Sequence, residues 1–119
     1  MVPEVEKAVE FLEGDMGGKL DCIIVGIETH ICVLQTSLDL LARGHNVYVV
    51  QDAVSSCNAE ERSVALARLR QEGARVTTSE SLIYEIMGDA KHAGFKQIAG
   101  LIKDTKTSTK EALAALCKI

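Results

Sequence analysis

The sequence predicts an α/β fold in which a parallel sheet carries helices on both faces. Three observations lead there. Short β-branched runs alternate with segments of helical period, and glycines close most of the connections between them. The first such run is apolar throughout, as expected of a strand covered on both faces.

Taken in order, Pro3 suits the first turn of an opening helix whose buried stripe is Val5, Ala8, Val9 and Leu12, with Gly14, Gly17 and Gly18 ending it. Residues 22–25 form a strand, which Gly26 breaks. After Gly26 the period changes: Val33, Leu34, Leu38 and Leu41 fall on one face of a helix that Gly44 terminates. Cys32 therefore stands at or near a helix N-terminus, where unpaired amides and the positive dipole end favour thiolate, the form a nucleophile needs. A second strand covers residues 46–50 and closes through Gln51, Asp52 and Ala53. Asn58 and Glu61 make a capping box for a helix carrying Val64, Ala65, Leu66 and Leu69 up to Gly73. Residues 74–78 give a third strand, placed at a sheet edge by its low apolar content. Ser79 caps the next helix, whose apolar side is Leu82, Ile83, Ile86 and Met87, ended by Gly88. Phe95, Ile98, Leu101 and Ile102 mark one more short helix, and residues 104–119 read as a polar, mobile tail in which Ser108 and Glu111 can cap a final turn through Leu116.

The length of 119 residues and 47% apolar content suit one domain, here expected over residues 1–103. A net charge of −4 with no basic cluster beyond Arg68 and Arg70 argues against nucleic acid as a partner. No apolar run spans a bilayer and no leader pattern opens the chain, so a soluble intracellular protein, cytoplasmic or mitochondrial, is expected. The four cysteines, at 22, 32, 57 and 117, form no C-x-x-C pair; neither a metal site, a disulfide framework nor a cofactor is expected. Three strands are few for a parallel sheet, so part of the sheet is expected to be missing. The segments 26–32 and 52–58, with Ser79, lie beyond the carboxyl ends of the strands and converge there on one crevice.

Gly26-Ile27-Glu28-Thr29-His30-Ile31-Cys32-Val33 resembles the nucleophile motif of the isochorismatase-like cysteine hydrolases. The resemblance extends through Leu38 to Gly44, Val47 to Asp52 with Ala53, Ser55 and Ser56, Ala65-Leu66, Gly73-Ala74 and Thr77 to Glu80. It is strongest to the eukaryotic isochorismatase domain-containing proteins, including Phe95-Lys96-Gln97-Ile98, and reaches about Lys103. It implies a three-layer, Rossmann-like parallel sheet of which this chain carries the C-terminal half. It also implies that Cys32 attacks a carbonyl carbon, usually of an amide, to form a thioester, with the backbone N–H groups of Glu28 and Cys32 as oxyanion hole. A cis peptide bond between Ile27 and Glu28 belongs to the same implied corner. The family's aspartate base and its lysine precede the segment matched here and have no counterpart, and Met1 resembles an internal methionine of the eukaryotic relatives.

Beside these stand plainer readings. Thr29, His30 and Asp52 are candidate pocket residues, while His30 also reads as a helix-start polar residue and Asp52 as a strand-end aspartate in a local turn. Arg62 reads as a solvated surface arginine that could reach an anion. Two functions follow: a cysteine hydrolase of small amides or related compounds, inactive in this chain alone, or a non-catalytic partner that assembles with itself or with a full-length homologue and modulates it.

Overall fold

The computed structural model describes residues 1–117. Three parallel strands, β1 (Asp21–Ile27), β2 (Asn46–Ser55) and β3 (Arg75–Thr77), lie in the order β1-β2-β3. Helices α1 (Pro3–Met16), α2 (Leu34–Ala42) and α3 (Ala59–Gln71) alternate with them; α4 (Ser79–Met87), α5 (Phe95–Asp104) and α6 (Lys106–Leu116) follow. The predicted α/β class and parallel sheet are therefore present. Val47, Val49, Ile24, Cys22 and Val76 point to one face, where Val9 of α1, Leu40 of α2 and Leu66 and Leu69 of α3 pack on them. On the other face α4 and α6 pack on β2. β3 is an edge strand as expected, and β1 forms the opposite edge.

Several elements differ from the sequence reading. Of the predicted α1 stripe only Val9 is buried, and Val5 and Leu12 stand exposed, because little beyond Val9 reaches the sheet. α1 runs through Gly14 and ends at Gly17, whose left-handed φ of 79° needs no Cβ. α2 is entered through one π-helical turn, Thr29–Val33; the predicted Val33 is fully buried, as are Ser37 and Leu40, while the predicted Leu34 and Leu41 pack partly buried against the same core. Asn58 precedes α3 but its side chain makes no cap bond; its carbonyl accepts the Glu61 N–H instead. Thr78, not Ser79, caps α4, its Oγ1 accepting from the Ser81 N–H at 3.3 Å. The expected polar tail is helical as α6, since Ala112, Leu113 and Leu116 recur at helical spacing and lie partly covered. Residues 118 and 119 of that tail lie outside the described residues.

The register explains how the site is placed. Ile24 pairs with Val49 but Gly26 pairs with Val54, so β2 carries an extended bulge between those two contacts. The bulge holds Gln51 and Asp52. Beyond it Val54 and Ser55 rejoin the last residues of β1, bringing the ends of both strands together.

Candidate functional site

The corner after β1 is built by two unusual backbone conformations. Gly26 has φ +146°, which side-chain-bearing residues rarely adopt, and Glu28 sits in the left-handed region at φ 58°, ψ 66°. Glu28 turns the chain at once into the π-helical turn: its carbonyl accepts the N–H groups of Ile31 at 3.0 Å and Val33 at 3.4 Å. The bond between Ile27 and Glu28, expected cis, is trans; the left-handed Glu28 makes the reversal instead.

Cys32 lies in this turn with its side chain exposed, as a free thiol. It opens onto a groove of about 360 Å³ lined by Ile23, Val25, Ile27 and Thr36 among others. The walls are largely apolar. The turn is fastened to the end of β2 by three polar contacts. Thr29, wholly buried, donates from Oγ1 to the Ser55 carbonyl at 2.9 Å. His30 Nδ1 lies 3.0 Å from Ser56 Oγ, and Nε2 lies 3.7 Å from Glu28 Oε2. Glu28 Oε1 accepts the Cys57 N–H at 3.0 Å.

The structure thus brings Glu28, Thr29, His30 and Cys32 to one corner and leaves Asp52 apart from it. Asp52 accepts from the N–H and Oγ–H of Ser79, at 2.7 and 2.5 Å, so it holds the start of α4 rather than a local turn. It borders a separate groove with Thr78, Glu80 and Tyr84. Thr29 likewise spends its hydroxyl inside the fold. Arg62 is not a solvated arginine: it is only 9% exposed and donates to the carbonyls of Gln51, Val54 and Leu116 at 2.8, 3.1 and 2.5 Å. It spans the bulge of β2 and ties it to the end of α6. The sequence carries no signal for this role, because two of the carbonyls that Arg62 satisfies lie at the bulge of β2 and the third at the end of α6, far along the chain. Ser56 was legible only as part of a motif, and its contact with His30 depends on the same register.

Burial pushes the thiols of Cys22 and Cys117 up; Asp21 and Glu13 add to this at Cys22, and at Cys117 Asp52 adds while Arg62 opposes. Among the described residues no three His, Cys, Asp or Glu side chains are grouped to hold a metal. No helix is long and apolar enough to cross a membrane.

Residues 10–81 match the isochorismatase domain. The chain is 49% identical over 104 residues to the secreted isochorismatase effector Isc1 of Phytophthora sojae, covering 87% of this chain and 48% of that protein. It is 48% identical over 105 residues to isochorismatase domain-containing protein 2 of Bos taurus, covering 87% and 49%. Among solved structures, the MAR1 ribonuclease of Caenorhabditis elegans superposes with a TM-score of 0.72 at 42% identity, over 85% of this chain and 49% of that one. The chain spans about half the length of the relatives it matches.

Proposed function

The chain belongs to the isochorismatase family, and from that premise we propose that it carries the nucleophilic corner of a cysteine hydrolase acting on a small amide or related carbonyl compound. The observation that carries this reading is the exposed Cys32, held in a π-helical turn at the mouth of an apolar groove, directly after the backbone reversal at Glu28. Cys32 Sγ attacks the carbonyl carbon, and the oxygen takes up charge beside the N–H groups of Glu28 and Cys32. The C–N bond breaks, the amine leaves with a proton, and water then cleaves the thioester to release the acid and restore the thiol. Residues 1–119 hold no counterpart of the aspartate and lysine that the family resemblance implies, so the polypeptide by itself forms the acyl-enzyme slowly and does not turn over.

The second reading is a non-catalytic module that binds a full-length homologue or another copy and modulates it; the unpaired edge of β1 supports it. Ribonuclease activity, named for the C. elegans relative, draws no support from a net charge of −4. One experiment separates these readings. The 119-residue chain is assayed for amide hydrolysis alone and after mixing with the segment of a matched relative that it does not span. Activity on mixing, absent in Cys32→Ala, supports the hydrolase; inhibition of an intact homologue by the chain supports the module. Robust turnover that survives Cys32→Ala sinks the nucleophile assignment.

A further inference from the structure

Three side chains at the corner stand in an order that the cysteine chemistry does not use. Ser56, at the end of β2, faces His30 Nδ1 at 3.0 Å, and His30 Nε2 faces Glu28 Oε2 at 3.7 Å. The carboxylate beside Nε2 favours the tautomer with its proton there, leaving Nδ1 to accept the Ser56 Oγ–H. A nucleophile, a base and an anion that stabilises the protonated base are then arrayed in sequence. Glu28 is itself fixed, because its other oxygen accepts the Cys57 N–H and its backbone begins the π-helical turn. The His30 and Glu28 side chains are 20% and 29% exposed, sheltered but reachable. α3 begins three residues after Ser56, with no side chain capping its first turn.

We propose that Ser56, His30 and Glu28 form a second, serine-based acyl-transfer site at this corner, with small activated esters as its substrate class. Ser56 Oγ attacks the ester carbonyl carbon as its proton passes to His30 Nδ1; the bond to the leaving alkoxide breaks and His30 returns the proton to it. Water then attacks the acyl-serine, losing a proton to His30, and the acid departs as Ser56 Oγ is reprotonated. Glu28 opposes the positive charge on His30 throughout. This site is independent of Cys32, and loss of either reading leaves the other standing.

A fluorophosphonate probe, which phosphonylates activated serines, tests it on the full 119-residue chain with adducts mapped by peptide mass spectrometry. Ser56 is expected to carry the adduct, with labelling slowed about a hundredfold in His30→Gln and less in Glu28→Gln, both variants keeping the native circular dichroism spectrum. A folded wild-type chain with no adduct on Ser56 overturns the proposal, as does an unchanged rate in folded His30→Gln; the three side chains would then be a polar fastening only. Should His30→Gln not fold, the wild type decides: labelling must disappear in urea, and equal labelling of the unfolded chain overturns the proposal.

Discussion

The four thiols of this chain stand in four different environments, and those environments rank their reactivity. Cys22 and Cys117 are partly covered and their pKa values are raised, so at neutral pH they are held as thiols. Cys32 and Cys57 are both exposed, but Cys32 opens onto the apolar groove at the corner. Limiting iodoacetamide near pH 7 should therefore modify Cys32 first. Faster labelling of Cys57 or Cys117, with Cys32 inert, would contradict the assignment. Because the folded-state values of Cys22 and Cys117 are raised, the stability they contribute is present below the ordinary thiol range and is lost as pH rises through the raised values. Stability should thus decline above about pH 8.5, and less steeply in Cys22→Ser. Arg62 offers the largest single-residue effect. Its removal takes the donor from two carbonyls at the bulge and one at the end of α6, and each such loss costs about 1–3 kcal/mol before relaxation, so Arg62→Ala should lower the unfolding free energy by about 3 kcal/mol in a urea titration. A change near zero would mean that water replaces the guanidinium at no cost.

At the scale of elements, the alternation of strands and helices was legible because it rests on local patterns: β-branched runs, helical spacing and glycine stops. The places where the reading failed share a cause. Asn58 looks like a cap and Ser79 looks like another, yet the start of α4 is served by Thr78 and by Asp52, which reaches it from the bulge of β2. Burial of Leu40 in place of Leu38 follows from a π-helical turn whose presence no spacing rule announces. A motif singles out Cys32 and Glu28, whereas none marks the burial of Arg62 or the His30–Ser56 contact, since both depend on the register shift between β1 and β2. That shift hinges on Gly26. A Cβ there would meet only Val33 Cγ2 at 3.9 Å, so space is not the obstacle; the φ of +146° is. Gly26→Ala should destabilise the fold by about 1–3 kcal/mol and slow alkylation of Cys32 as the corner shifts. If the melting temperature and the alkylation rate both stay at wild-type values, the corner does not depend on this backbone conformation.

At the scale of the whole molecule, the chain is wide and open for its size. Its radius of gyration is 15.4 Å, whereas a compact domain of this length has about 13.5 Å. Its accessible surface is 7849 Å², against roughly 6,300 Å² for a folded monomer of equal mass. Part of the exposed apolar surface is gathered on β1. Ile23, Val25 and Ile27 share the face that α4 and α6 leave bare, at 51%, 57% and 74% exposure, and Ile86 of α4 borders them. The same strand presents an unpaired backbone edge, the feature that folded proteins usually pair, cover or charge. A standard interface takes up roughly 800 Å² of each partner's surface, about half of this surplus, so the chain has more than enough surplus surface for one association. Sedimentation over a hundredfold range of concentration should therefore show a monomer in equilibrium with a larger species, and the melting temperature should rise with concentration. Val25→Lys places a charge in the centre of the bare face without touching the core on the other side of the sheet. It should shift the equilibrium toward monomer while the circular dichroism spectrum stays unchanged. A wild-type chain that sediments as a single monomer throughout, with one concentration-independent melting transition, would show that β1 is tolerated bare and that the surplus surface is not an interface.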